Sequence, residues 1–445
     1  MKYDSIIIGG GLAGLTCAIR CQQAGMKTAL ITQGQSALHF SSGSIDVLSQ
    51  LPDGTKVSDP FEGIQLLVKN DCHHPYSHLG SEKVQMSLSW FTSMMKEQGV
   101  PLLGGDNNHL RLTAMGTLRP TWLSQPSVTQ WNEQGEQPYS KVALVAIEGF
   151  RDFQPKIAAD NLGRHPLMKG VRISTASIAI SDITKWQKRH CEMRSIDIAR
   201  QMKDELVLQR FARLLLQKAG DAELVVLPSA FGNGDGLATL RLLEGLTGYK
   251  ICEVATMPPS LMGIRIEESL RNAFQQFGGT LLAGDEVLWG EFDHNHLTRI
   301  YTRHHEDFPL TANHYFLGTG SFFSKGLVAT KDMISEPVFN LDIDAKADRE
   351  EWLQKAFVTG SGQPFMRFGV KTNNKLNPWR NGTPVENLYC GGALMSGYDP
   401  IADGCGGGVA ISTGFSAAEN MIEHYRQKEP SQQQDSAQVL QGEPA

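Results

Sequence analysis

Paired cysteines are the first thing missing. The seven cysteines, Cys17, Cys21, Cys72, Cys191, Cys252, Cys390 and Cys405, are scattered and odd in number, and none forms a C-x-x-C pair. A disulfide framework, a zinc site or an iron–sulfur cluster on this chain is therefore not expected, and no metal is assigned. Cys17 and Cys21 lie one helical turn apart, which suits small packing residues in a reducing compartment. Basic runs are missing too. The formal net charge is −6, without an arginine-rich arm, so nucleic acid, which demands a dense basic surface, is not an expected partner. Long apolar runs are also absent: no stretch approaches the ~18 residues of a membrane span. The opening apolar run, Ile6 to Ile8, leads straight into glycines and does not read as a signal peptide. Membrane contact would have to come through a partner. No repeat of about 20 to 50 residues is present.

What is abundant is glycine. The 45 glycines among 445 residues exceed the usual share of about 7%, and they cluster toward both ends of the chain, as backbone-lined sites would require. Hydrophobic residues at 41% and charged residues at 20% are otherwise ordinary for a soluble protein. The length predicts roughly two or three domains and a full core without staples.

Ser5 to Ile8 is short, apolar and β-branched, as a buried parallel strand should be. Gly9 to Gly14 is a turn, Leu15 to Ala24 a helix closed by Gly25, and Thr28 to Ile31 a second strand. This β-turn-α-β pattern opens a doubly wound sheet. Further strands are predicted at Lys141–Ile147, Val171–Ile178, Leu224–Leu227, Thr280–Leu282, Val287–Phe292, His314–Leu317 and Leu388–Cys390. Helices are predicted at Val84–Gln98, Ile196–Leu216, Leu261–Phe277 and Val409–Tyr425. The expected fold is α/β: a Rossmann-like flavin-binding domain from 1–50 plus 256–425, with a second α/β domain inserted at 51–255. The polar stretch 426–445 reads as a disordered tail.

Gly9-x-Gly11-x-x-Gly14 follows a strand and opens a helix. In that setting Gly9 makes the tight turn, Gly11 lets backbone approach a pyrophosphate, and Gly14 lets helix pack on strand. The helix N-terminus then faces the anion. One position departs from the dinucleotide pattern. An acid is expected about 20 residues after the glycines to hold a ribose diol, and Thr32 stands there, followed by Gln33. The adenosine half of the ligand is left open.

Three other segments suit a flavin. Ser36 to Asp46, SALHFSSGSID, offers Ser41, Ser42, Gly43 and Ser44 to phosphate or flavin oxygens, with His39 near the reactive ring. Phe316 to Ser321 carries Gly318-Thr319-Gly320 after a strand. Leu388 to Gly392 runs a strand into Gly391, and Gly404 to Gly408 supplies Gly406, Gly407 and Gly408 ahead of an apolar helix. Bare amides there suit a ribityl phosphate or the flavin N1–O2 edge. Asp399 and Asp403 precede that loop as active-site carboxylates or as turn formers.

These segments, together with HPYSHLG, MGTLRPTWLS, LPSAFG, MPPSLMGIRI, GDEV, GTGSFFSKGL and YDPIADGCGGGVA, resemble the B subunits of bacterial anaerobic glycerol-3-phosphate dehydrogenases over nearly the whole chain. The resemblance implies oxidation of sn-glycerol 3-phosphate to dihydroxyacetone phosphate in anaerobic respiration. It implies an A-subunit partner that completes the catalytic part. It also implies an iron–sulfur subunit that docks the pair peripherally on the cytoplasmic side of the inner membrane and passes electrons toward quinone. It implies FMN, while the glycine motif alone points to FAD. Hydride transfer from an alcohol needs a base and a phosphate grip. His39, His73, His74 and His78 are the candidate bases, and Arg119, Arg265 and Arg367 the candidate grips, with His39 and Arg265 placed first. A flavin-carrying electron-transfer and docking component is the alternative, and a flavin dehydrogenase of the fumarate reductase type ranks below both.

Overall fold

The computed structural model describes residues 2–439 except 134, 136, 137, 184–192, 233–235 and 357–361. The strand Lys2–Ile8 lies at the centre of a seven-stranded sheet. It pairs in parallel with His305–Leu317 on one side and Thr28–Thr32 on the other; beyond these, Leu388–Cys390 and Thr280–Ala283 also run parallel. Ile6, Ile7, Leu30, Phe316 and Leu388 are fully buried, as expected of strands covered on both faces.

The register aligns the carboxyl ends. Ile8 faces Leu317 and Ile31, Leu317 faces Cys390, and Thr32 faces Ala283. Gly9, Gly318, Gly391 and Gly284 follow directly after their strands. In an open α/β sheet this edge is where ligands bind. The strand predicted at His314–Leu317 begins earlier, because its polar first half pairs antiparallel with His296–Thr302, which in turn pairs with Val287–Asp293.

The helices Leu12–Gln23, Leu261–Gln276 and Gly406–Val439 contribute buried side chains to one core. The last helix extends beyond Tyr425 into part of the expected tail; residues 440–445 and Cys191 lie outside the described residues. The six described cysteines are free. Among the described residues no helix is long and apolar enough to cross a membrane.

A second sheet of four parallel strands runs in the order Arg172–Ala179, Lys141–Glu148, Leu224–Pro228, Lys250–Val254. The helix expected over Ile196–Leu216 is two helices, Ser195–Gln201 and Glu205–Ala219. Asp204 is the reason: its carboxylate accepts from the Leu206 and Val207 amides and starts the second helix afresh. The hydrophobic division also differs from the boundary expected at 51. Helices Pro60–Asn70 and Ser81–Glu97 bury Ile64, Leu67, Val84, Leu88 and Phe91 in the core of the first sheet. The core of the second sheet begins with Leu110 and Leu112.

One fully buried ion pair joins the two units. Arg265, on the helix Leu261–Gln276, meets both carboxylate oxygens of Glu253, on the last strand of the second sheet, at 2.6 and 2.9 Å. Removing one member leaves an uncompensated buried charge. Glu253→Ala is expected to lower the unfolding free energy by about 3–5 kcal/mol in chemical denaturation. Replacing both members with apolar residues of similar volume should cost clearly less. Equal losses in the two variants would show that the cost does not come from an uncompensated buried charge.

Candidate functional site

The glycine turns meet above the aligned strand ends. A Cβ on Gly9 would lie 2.3 Å from the Gly318 carbonyl oxygen, and one on Gly14 would lie 1.9 Å from the Gly9 oxygen. Only glycine allows this approach, and Gly9 also has a φ of 110°. Gly11 differs, because nothing lies within 4 Å of where its Cβ would be. Its bareness leaves room for a ligand beside the start of the helix Leu12–Gln23.

A cavity of about 1230 Å³ runs along this edge. One end reaches Thr32, Gln33 and Gly34 on one side and Asp285 to Leu288 on the other. The middle is the glycine turn with Gly318, Thr319 and Gly320. Ser41, Ser42, Ser44, Asp46, Arg111, Gly391, Gly406 and Gly407 complete the wall, with Asp46 beside Gly407. The N-termini of the first and last helices both contribute, so the wall carries the amides and the positive dipole ends that suit phosphate. Ser44 Oγ, Thr256 Oγ1 and Thr319 Oγ1 are buried along it without a hydrogen-bond partner. Groups of this kind call for a polar ligand, and together with the open face at Gly11 they fit a flavin nucleotide.

All predicted cofactor positions line this cavity except Gly14, Gly43 and Gly408. Those three are packing glycines: a Cβ on Gly43 would meet Met262, and one on Gly408 would meet the Tyr76 hydroxyl. Ser41 lines the wall, but its hydroxyl donates to the Leu38 carbonyl and accepts from the Gly43 amide. Thr32 donates to the Gly34 carbonyl at 3.0 Å.

The residues predicted for chemistry lie elsewhere. His39 turns away from the cavity, with Nε2 3.1 Å from Glu267, a carboxylate that also receives Ser36 and Arg271. Arg265 has every donor engaged, by Glu253, Gln125 and the Phe231 and Gly232 carbonyls. It therefore has no donor left for a phosphate. Arg367 binds Asp403 at 2.7 Å. Asp399 and Asp403 are turn formers: Asp399 accepts from the Ile401 and Ala402 amides, and Asp403 from the Asp399 amide. His73 is exposed, and His78 meets Asn374.

His74 is buried, and burial, followed by Arg367 and His78, pushes its pKa down to about 3. Its Nδ1 accepts from the Tyr76 amide, so the neutral ring carries its proton on Nε2, 3.9 Å from Cys405 Sγ. Asp403 completes a buried group within 4.8 Å, but its oxygens are taken by Arg367 and the Asp399 amide. Burial pushes the Cys405 thiol up as well.

Sequence reasoning passed over Arg111, Thr256 and Asp46, although Asp46 closes the segment in which the serines were named. Asp285 to Val287 belonged to a quoted motif without being given a role.

The FAD binding domain family matches residues 4–409. The B subunit of the anaerobic glycerol-3-phosphate dehydrogenase of Aliivibrio fischeri is 48% identical over 436 residues, covering 95% of this chain and 96% of that protein. The protein of the same name from Vibrio cholerae is 45% identical over 433 residues, covering 97% and 99%. A solved 3-ketosteroid delta1-dehydrogenase from Sterolibacterium denitrificans is 10% identical, with a TM-score of 0.43, over 95% of this chain and 100% of that one.

The two glycines separate ligand from fold. Gly11→Ala is expected to change stability by no more than about 1 kcal/mol while weakening flavin binding at least roughly tenfold, as read by flavin fluorescence titration. Gly14→Ala is expected to destabilise the apoprotein itself by about 1–3 kcal/mol, as read by thermal unfolding. Intact flavin affinity in Gly11→Ala would remove the turn from the site.

Proposed function

Because the chain belongs to the FAD binding domain family and to the B subunits of anaerobic glycerol-3-phosphate dehydrogenases, it is a flavin-binding oxidoreductase component, and we propose that it oxidises sn-glycerol 3-phosphate to dihydroxyacetone phosphate. The observation that carries this reading is the match to relatives of that name over nearly their whole length. The cavity supports it, since its wall includes Ser42, Ser44, Asp46 and Arg111, groups suited to a small polar substrate. Electrons then pass through the A-subunit partner and an iron–sulfur subunit to the quinone pool, with the assembly held peripherally on the cytoplasmic face of the inner membrane.

The flavin, when bound, supplies the hydride acceptor. This chain's residues hold and orient it. The backbone at Gly11 to Ala13 and at Gly406 to Gly407 would hold its phosphates or polar edge, and Ser44 and Thr319 would offer hydroxyls. The part of the cavity lined by Thr32–Gly34 and Asp285–Leu288 gives room for an adenosine beyond the glycine turn. It favours FAD over FMN, with backbone and Gln33 in place of the ribose-binding acid.

The engagement of His39 and Arg265 away from the cavity favours a second reading. On that reading the chain carries flavin and docks partners while the A-subunit partner does the chemistry. The flavin-loaded chain, mixed anaerobically with sn-glycerol 3-phosphate, separates the two. Bleaching of the flavin absorbance by the chain on its own is the expected result; bleaching only after the A-subunit partner is added would assign this chain to electron transfer. Mass analysis of the cofactor released on denaturation is expected to give FAD, and FMN would exclude the dinucleotide.

A further inference from the structure

Two arginines stand directly opposite each other in a short antiparallel ladder. His109–Leu112 pairs with Leu118–Thr121, and Arg111 faces Arg119. Like charges in that position repel, which makes the pair a place where anions are favoured, and the Asp46 carboxylate already acts on both. Arg119 is exposed, whereas Arg111 reaches inward to line the cavity, and its Nε is buried without a partner. Asp46 lines the same cavity, and its Oδ1 is likewise buried and unpartnered. Each of these buried atoms lacks a hydrogen-bond partner, and such atoms on a cavity wall call for a polar ligand.

The backbone sets where both groups stand. The Asp46 carbonyl accepts from the Gly408 amide at 2.8 Å, which pins Asp46 at the start of the last helix beside Gly407. The preceding residue, Ile45, bridges to Leu123, just after the arginine ladder. Asp46 therefore sits beside the N-terminus of the last helix, and Arg111 is carried by a segment tied to the same loop. Burial pushes the Asp46 carboxyl up, an effect opposed by Arg111, Thr121 and Arg119. Burial likewise pulls the Arg111 guanidinium down; Asp46 opposes this and Arg119 adds to it.

We propose that Arg111, supported by Arg119, grips the phosphate of a small phosphomonoester alcohol while Asp46 takes the proton from its hydroxyl, an assignment that rests on the substrate reading given above. The C–H bond at the alcohol carbon breaks and its electron pair leaves as hydride to the flavin, which is the oxidant. The O–H bond breaks, its proton passes to the Asp46 carboxylate, and the carbonyl double bond of the ketone product forms. Arg111 touches the substrate through the planar fork that matches phosphate, and Arg119 draws the anion toward it.

The test uses the full flavin-loaded chain. Dihydroxyacetone phosphate, which cannot donate a hydride from that carbon, is titrated while the flavin spectrum is followed. Arg111→Gln is expected to raise its Kd about 10- to 100-fold, the range for a hydrogen bond to a charged group, with Arg111→Lys recovering part of the loss. Arg119→Gln should raise it a few-fold. Asp46→Asn should keep the Kd within about threefold yet slow anaerobic flavin reduction by sn-glycerol 3-phosphate at least ~100-fold. An unchanged Kd in Arg111→Gln, or wild-type reduction in Asp46→Asn, overturns the assignment. If Arg111→Gln does not take up flavin, the exposed Arg119 decides, and an unchanged Kd in Arg119→Gln overturns it. A wild-type chain whose flavin neither shifts with product nor bleaches with substrate defeats the substrate reading itself, a result distinct from the other two.

Discussion

Backbone passes unusually close to backbone at the carboxyl edge of the first sheet, and the remaining architecture follows from that constraint. Five parallel strands end at one level, and the turns after Lys2–Ile8 and His305–Leu317 pass each other with no side chain between. Gly9 lies against the Gly318 carbonyl and Gly14 against the Gly9 carbonyl. Behind the turn, Gly414 of the last helix packs against the backbone of Ala13 in the first, where a Cβ would lie 2.2 Å from the Ala13 oxygen. These contacts bring two helix N-termini to the same cavity. A fixed array of amides and dipole ends results, which needs little reorganisation to receive phosphate.

The second unit is placed by a different kind of interaction. Arg265 and Glu253 are both fully buried, and Gln125 ties into the same network, accepting from Arg265 and donating to the Gly43 and Met262 carbonyls. A buried pair of this type contributes little net stability but makes any other arrangement of its partners costly. The consequence for function is geometric. Ala255 and Thr256 follow directly after the strand that carries Glu253, and both line the cavity. The pair thus holds one wall of the site while standing outside it.

Much of this was legible along the chain. The glycine spacing, the apolar β-branched strands and the small residues after them named the sheet edge and most of the cavity lining, because a backbone-lined site requires residue types that leave a local signature. The break at Asp204 was less visible, since an amphipathic pattern continues through a cap and only the side chain-to-amide bonds show that a new helix starts. The helices of 60–97 were equally hard to assign, because a buried face does not reveal which core receives it.

Residue order alone established that a flavin-binding α/β sheet exists, where its glycine turn lies, and which family the chain resembles. Which charged residues are free for a ligand was left to the folded arrangement. Arg265 and His39 have the residue types that chemistry needs, yet long-range partners at Glu253 and Glu267 engage them. Arg111 and Asp46 carry no local signature, yet folding leaves both facing one cavity. Whether a charged side chain binds a ligand or its own protein depends on what surrounds it, and those neighbours come from distant parts of the chain.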